Sequence, residues 1–330
     1  MSETTLDVVG IGNAVVDVLA QAEDSFLVRH DLAKGAMTLV DERASEKLYS
    51  GMGSAVEISG GSAANTMAGI ASLGGNGAFI GKVKNDQLGE IFSHDITSVG
   101  VRYTTARATD GASTARCLIF VTPDAQRTMQ TFLGASVALG PDDLDEAAIR
   151  DAQITYLEGY LWTSDSGRMA LRKAAEIAKA AGRKVAFTLS DAFLVDAYRA
   201  DFFEFIRDSV DILFANEIEI TSLIEANNFD DALQISRDLC EILALTRSEH
   251  GSVIVSGNDT YIIDAAPVLD VVDTTGAGDL YAAGFLFGLT QGLGLHTCGR
   301  IGSIGAGEIV SHFGARPEVR LADMIASELD

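Results

Sequence analysis

The chain has 330 residues, 47% of them apolar, and 47 acidic residues stand against 24 basic ones for a formal net charge of −23. That length and apolar share supply one large α/β domain or two modest ones. So acidic a surface argues against nucleic acid and anionic membrane as partners, and a nucleotide site on it needs local positive potential or Mg²⁺.

In chain order, apolar runs at Val8–Ile11, Ala78–Ile80, Ile154–Leu157, Val185–Leu189, Ile212–Ala215, Ile242–Leu245 and Ser252–Val255 predict short buried strands. Helical patterns lie between them at Ala63–Leu73, Gly89–Val99, Ser166–Ala181, Asp201–Val210, Glu217–Ala226 and Asp230–Cys240. This alternation predicts a mainly parallel sheet with helices on both faces. Two stretches, Val15–Val40 and about Val101–Leu133, alternate as strands instead and predict a small antiparallel lid sheet outside the main one. The β-branched run Val268–Val272 predicts one more buried strand, followed by a small-residue loop and an apolar helix from Leu280 to about Leu289. With four prolines and no repeat or linker, the expectation is a single domain over residues 1–330, its lid formed by about 15–42 and about 101–134.

Cys117, Cys240 and Cys298 lie far apart without a C-x-x-C, which predicts reduced thiols in a cytoplasmic protein. The five histidines show no ligand spacing, so no direct metal ligand set is expected. Met1–Asp7 is polar and acidic, unlike a secretory signal, and no apolar run reaches transmembrane length.

Chemistry concentrates in Asp273-Thr274-Thr275-Gly276-Ala277-Gly278-Asp279. A glycine loop entering a helix presents free N–H groups at the positive end of the helix dipole, a ready anion site. Asp279 there has two readings: a base that orients and deprotonates an attacking hydroxyl, or a helix N-cap. Upstream, Gly60-Gly61-Ser62-Ala63-Ala64-Asn65 is a Gly-Gly turn opening a helix of small residues. It reads either as a place of close ligand approach, with Asn65 offering donor and acceptor, or as a tight turn under a closely packed helix. The N-terminal strand runs into Gly10-Ile11-Gly12-Asn13-Ala14-Val15, and Val15 at the third glycine position speaks against a dinucleotide fingerprint. Around Gly81-Lys82 a Walker A loop is ruled out by Asn76 and Val83, and protein-kinase signatures are absent.

Together the two glycine strings, in this order, resemble the ribokinase-like (PfkB) carbohydrate and nucleoside kinases. The resemblance implies a ribokinase-like three-layer αβα sandwich with a mainly parallel central sheet and a small β-sheet lid. It implies ATP and Mg²⁺ as cofactors, a small-molecule nucleoside or sugar as acceptor, and Mg²⁺ held through water and phosphates. Asp279 becomes the catalytic base, and the amides of Gly276, Ala277 and Gly278 the anion hole. Gly60, Gly61 and Asn65 take sugar hydroxyls. The string G-N-x-x-x-D at Gly12–Asp17 matches the adenosine-kinase branch and puts Asn13 and Asp17 on a ribose. Asn216 and Glu219 match an N-x-x-E motif that orders Mg²⁺ and its waters, and Arg127 meets the γ-phosphate. Thr246, Gly251 and Thr274 border the nucleotide, and Phe193 faces a base. Residues Gly302–Glu308 and Gly314–Pro317 resemble the wall for the adenine nucleotide.

Lys84 and Ser248 stand where the family pattern has glycine. Blander readings stay open for single residues: Asp17 as a turn former, Arg127 as a surface arginine, Asn216 and Glu219 as a solvated first helical turn, Phe193 as ordinary core. The activity implied is transfer of the γ-phosphoryl of ATP to the 5′-OH of a ribonucleoside, adenosine first, by a monomer or homodimer. A sugar kinase acting on ribose, fructose or a related sugar is the alternative, and a non-catalytic nucleoside-binding protein a further one.

Overall fold

The structure, a computed structural model, describes residues 4–124 and 126–329. Met1–Glu3 of the polar, acidic stretch Met1–Asp7, Ala125 of the stretch Pro123–Met129 that holds Arg127, and Asp330 lie outside the described residues. In chain order the strands are β1 (Leu6–Ile11), β2 (Val15–Gln21), β3 (Met37–Leu39), β4 (Ala55–Gly60), β5 (Gly77–Ile80), β6 (Arg102–Tyr103) and β7 (Ala115–Val121). They continue with β8 (Arg127–Phe132), β9 (Ala152–Glu158), β10 (Lys184–Thr188), β11 (Ile212–Asn216), β12 (Ile242–Thr246), β13 (Ser252–Ser256) and β14 (Asp259–Ile263).

Nine of them form one sheet in the order β14-β13-β12-β11-β10-β9-β1-β5-β6. It is parallel from β12 to β6, and a hairpin adds β13 and β14 antiparallel at one edge. Alternation sends Val8, Phe79, Tyr156, Ile212 and Phe214 to one face and Val9, Ile80, Leu157, Phe187 and Leu213 to the other. The first face is covered by helices Ser62–Ser72, Ala277–Thr290 and Leu295–Ile309, the second by Asp165–Ala180, Ala192–Ser209 and Glu217–Ile224. This is the expected ribokinase-like three-layer αβα arrangement.

The second sheet, β3-β8-β7-β2-β4, differs from the antiparallel lid the sequence predicts. Its pairs β2–β7 and β3–β8 are parallel, and only β2–β4 and β7–β8 are antiparallel. It also recruits β4, while β6 leaves for the edge of the main sheet. The Tyr103 ring explains that departure, lying 6.1 Å from Phe79 and 5.4 Å from Phe92 and so anchoring β6 to the main core. One face of the second sheet carries Val16, Val18, Leu118 and Phe120 into the large core beneath Leu27 and Leu48. The other carries Val15, Cys117 and Ile119, and Asp17, paired in register with Cys117, shares that face.

Val268–Val272 is not a strand. Leu269 is fully exposed and Val271 63% exposed, and the segment's backbone bonds run only from Val272 and Asp273 to the Val310 carbonyl. A β-branched run becomes a strand only beside a ladder partner, and none lies alongside. Helix Ala192–Ser209 starts nine residues before the predicted Asp201 and bends at Tyr198 (φ −127°, ψ 22°). Among the described residues no helix is long and apolar enough to cross a membrane.

Candidate active site

In a parallel sheet ligands gather at the carboxyl ends of the strands. Here β1 runs into Asn13, while β9 ends at Glu158, β11 at Asn216 and β12 at Thr246. Across this edge lie the N-termini of helices Ser62–Ser72 and Ala277–Thr290 and the Asp17 face of the second sheet.

The loop Asp273–Asp279 is held from within. Asp273, 7% exposed, accepts from the Thr275 amide (3.0 Å) and the Gly314 amide (3.0 Å) and pairs with the Arg127 guanidinium, which also donates to Thr275 Oγ1 (2.8 Å). Gly276 takes φ 81° as the cap of helix Ala277–Thr290, and a Cβ there would lie 2.9 Å from that of Ala315. Glycine is therefore required twice over, for the left-handed backbone and for the close approach.

The N-cap is Gly276, so the capping reading of Asp279, two positions into the helix after Ala277, falls away. Its carboxylate instead accepts from Ser62 Oγ (2.6 Å) and Asn65 Nδ2 (3.0 Å). Burial raises its pKa, against the lowering effect of those two hydrogen bonds and of the Arg316 charge. A carboxylate so raised is a better proton acceptor than an ordinary aspartate. Among the described residues nothing accepts from the amides of Gly276, Gly278 and Asp279, while that of Ala277 is spent on the Thr274 carbonyl (3.2 Å). Of the three amides expected to form an anion hole, those of Gly276 and Gly278 are free and that of Ala277 is not, while the Asp279 amide beside them is free as well. Beyond its own helix backbone and chain neighbours, no atom of the described residues lies within 4 Å of where a Gly278 Cβ would sit, so the approach is open, and Thr274 is exposed beside it.

The Gly60-Gly61 turn, Asn13, Asp17 and Asn65 assemble against this loop. Gly61 (φ 97°) caps helix Ser62–Ser72, and a Cβ there would meet the Asn13 carbonyl at 2.2 Å. Asp17 lies against Gly60, where a Cβ would sit 2.4 Å from Oδ2. Burial pushes Asp17 up to about 6, opposed by Arg127 and Arg316, and no hydrogen bond from a described residue reaches it. Asn13 is buried against Glu158, its Nδ2 donating to Oε1 at 2.9 Å. The Oδ1 atoms of Asn13 and Asn65 are buried without partners.

Four side chains that brace these groups from behind were not singled out from sequence: Ser62, Glu158, Asp273 and Arg316. Ser62 and Asp273 lie inside the motifs named above, and Arg316 inside the stretch Gly314–Pro317 likened to a nucleotide wall. Glu158, 1% exposed, sits at the end of a predicted strand with nothing in its neighbours to mark it. Arg316 donates to the carbonyls of Ser59 (2.9 Å) and Ala64 (2.8 Å) and to Ser59 Oγ (2.8 Å), and burial lowers it to about 10.

The remaining candidates lie around this centre. Arg127 is no surface arginine, its side chain being 9% exposed and bound to Asp273. Asn216 and Glu219 form a reciprocal capping box at helix Glu217–Ile224: Asn216 Nδ2 donates to Oε1 (2.8 Å), its amide to Oε2 (2.9 Å), and the Glu219 amide to Asn216 Oδ1 (2.8 Å). Glu219 is 5% exposed rather than solvated, and burial pushes it up to about 7. With both oxygens accepting, the pair does not fit a direct Mg²⁺ ligand set, and no group of three metal-binding side chains occurs among the described residues. Thr246 ends β12, and Gly251 (φ 74°) closes the turn after it. Ser248, at an expected glycine, does adopt the left-handed backbone (φ 51°). Phe193 is not core: it is 44% exposed, its ring 6.5 Å from that of Tyr160.

Comparison with known proteins bears on the family and the fold. The family model described as pfkB family carbohydrate kinase matches residues 39–320. The solved adenosine kinase of Sinorhizobium meliloti is 50% identical, with a TM-score of 0.90 over 98% of this chain and 99% of that one. A probable sugar kinase protein from Rhizobium etli CFN 42 is 46% identical, with a TM-score of 0.91 over 98% of each chain. The ATP-dependent ribose-1-phosphate kinase of Halopiger xanaduensis is 31% identical over 237 residues, 69% of this chain and 72% of that protein.

Proposed function

Since the chain belongs to the pfkB family of carbohydrate kinases, we propose that it transfers the γ-phosphoryl group of ATP to the 5′-OH of a ribonucleoside, with adenosine as the preferred acceptor. The observation that carries this reading is Asp279, raised by burial and steered by Ser62 and Asn65, beside unspent amides at a helix N-terminus. Asp279 orients the acceptor hydroxyl and takes its proton as the oxygen attacks the γ-phosphorus, with ADP leaving on the opposite side. The amides of Gly276, Gly278 and Asp279 hold the phosphoryl charge at the positive end of the helix dipole. Asp17, Asn13 and Asn65 hold the ribose. Arg127 ties the second sheet to the phosphate loop, and closure of that sheet as a lid excludes water that would otherwise be phosphorylated in place of the acceptor. Mg²⁺ would come with the ATP phosphates and water, and Asn216 and Glu219, held by each other, would order its waters rather than bind it directly.

The nucleoside preference is supported by the likeness to the Sinorhizobium enzyme and by the acceptor atoms left unpaired in the site. The test is ADP release with MgATP across adenosine, inosine, guanosine, cytidine, ribose and fructose, with Asp279→Asn alongside. Adenosine should turn over fastest, and the variant should lose about 10²–10⁴-fold in kcat while still binding adenosine. Faster turnover on a free sugar would move the substrate and keep the mechanism. Near-wild-type turnover by the variant would remove its centre, and adenosine binding with no turnover on any acceptor would leave a non-catalytic binder.

A further inference from the structure

A carboxylate accepts hydrogen bonds and does not donate them, so a side-chain amide facing a carboxylate must present its NH₂. That rule fixes two amides here. Asn13 gives Nδ2 to Glu158 Oε1 (2.9 Å), and its backbone N–H goes to the same oxygen (3.2 Å). Asn65 gives Nδ2 to Asp279 Oδ2 (3.0 Å). Each turns its Oδ1 away, and both Oδ1 atoms are buried without a partner. Asp17, beside Gly60, receives no hydrogen bond from the described residues. The polar atoms these three side chains leave unspent are therefore all acceptors, and a ligand satisfies them only with donors. Hydroxyl groups of a polyol meet that demand, whereas ether oxygens and phosphate oxygens do not.

We infer that Glu158 is a positioning residue for acceptor specificity: by claiming the Asn13 NH₂ it locks Asn13 as an acceptor, so that the pocket reads substrate hydroxyls as donors. The inference rests on the kinase reading of this site and adds to it what selects the acceptor. The placement of Glu158 is built in. Oε2 accepts from the Ala63 amide (2.9 Å), at the start of the helix that carries Ser62 and Asn65. Position 12 must be glycine, because a Cβ there would lie 2.1 Å from Oε2. No cation pairs with Glu158 among the described residues. The titratable groups around it are Asp279 from helix Ala277–Thr290, Tyr156 on its own strand, and Tyr160 just beyond. Burial first, with the Asp279 charge adding, pushes Glu158 up to about 7. A proton there creates an O–H donor that can serve Asn13 Oδ1 and turn the amide over. Glu158→Gln removes the charge without a change of size, and because its NH₂ must face the backbone N–H of Asn13 or of Ala63, one of the donors that Glu158 holds goes unpaired and the hold on Asn13 loosens.

The test compares KM for acceptors that differ by one hydroxyl: adenosine with 2′-deoxyadenosine and 3′-deoxyadenosine, and ribose with 2-deoxyribose. Wild type and E158Q are both measured, at about pH 8 and about pH 6. At the higher pH the wild type should favour the full polyol by about tenfold or more, because a missing hydroxyl leaves a buried acceptor unpaired. E158Q should lower that ratio by about threefold or more while kcat on the parent acceptor stays within about threefold, a KM-against-kcat split that a loosened core would not give. The wild-type ratio should fall toward the variant's at the lower pH, and the variant's own ratio should move less. An unchanged ratio in E158Q, or equal loss for parent and deoxy acceptors, overturns the inference. If E158Q fails to fold, Glu158→Asp, which keeps the charge but draws the carboxylate back from Asn13, takes its place, and an unchanged ratio there overturns the inference. Turnover of the ribose pair with adenosine inert would defeat the nucleoside reading and leave the ribose pair to test Glu158. Absence of discrimination on every acceptor overturns the inference outright.

Discussion

Burial raises Asp279 and three further carboxylates in or near the site, Asp17 to about 6 and Glu158 and Glu219 to about 7. Their folded values exceed their unfolded ones, so the native chain binds these protons more tightly than the unfolded chain does. The stability they contribute is fully present below the unfolded values and is lost as pH rises through about 6 and then about 7. Thermal unfolding of the ligand-free protein should therefore shift to lower temperature between about pH 5 and about pH 8, and Glu219→Gln should flatten the slope. A midpoint that rises over this window would mean that the three groups titrate normally. The residues proposed to carry the chemistry stand out in the sequence because they sit in short strings whose glycines have a backbone reason to be there. Glu158 was not, because its partners Asn13 and Ala63 are 145 and 95 residues away in sequence. Arg316 is 257 residues from Ser59, and no local pattern records such a pairing.

Helix Ala277–Thr290 is buried along nearly its whole length, from Leu280 to Gly288, because it is sandwiched between helices Ser62–Ser72 and Leu295–Ile309. Small residues make the sandwich possible. A Cβ on Gly284 would lie 2.6 Å from the Ile301 carbonyl and 2.7 Å from Gly302 Cα, and one on Gly69 would lie 2.6 Å from Ala283 Cβ. Backbone cannot yield as a side-chain tip can, so Gly284→Ala should cost about 1–3 kcal/mol in urea unfolding and shift the phosphate loop at the helix's leading end. No loss of stability would show that the helices separate freely. At this scale the sequence was read well where periodicity and length agreed, as in Ser62–Ser72 and Asp165–Ala180. It was misread at Val268–Val272, where β-branched residues without a neighbouring strand stay in the open, and at β6, expected in the lid, and it gave no strand at β4; the sheet each joins depends on distant partners.

A net charge of −23 acts on the molecule as a whole. Like charges repel most in the compact state, and they also oppose the approach of ATP. Raising NaCl from about 0.01 M to about 0.15 M shortens the Debye length from about 30 Å to about 8 Å, so the unfolding midpoint should rise and the KM for ATP should fall. Insensitivity of both to salt would place the acidic residues too far from each other and from the site to matter. Lys34, Lys82 and Arg247 are each paired with a nearby carboxylate, and Arg127 and Arg316, also bound to protein groups, are the cations gathered at the site.

The two sheets are threaded through one another: the chain leaves the main sheet after β1, returns for β5 and β6, leaves again for β7 and β8, and returns at β9. During synthesis, β1 therefore has only β5 beside it until residues Ala152–Glu158 have emerged, although in the finished sheet it lies between β5 and β9. Over that interval a strand of the central sheet is left with an open hydrogen-bonding edge, a template for pairing with the wrong chain. Nascent chains stopped before β9 should accordingly associate with one another or engage chaperones, and those extended past β10 should do so much less.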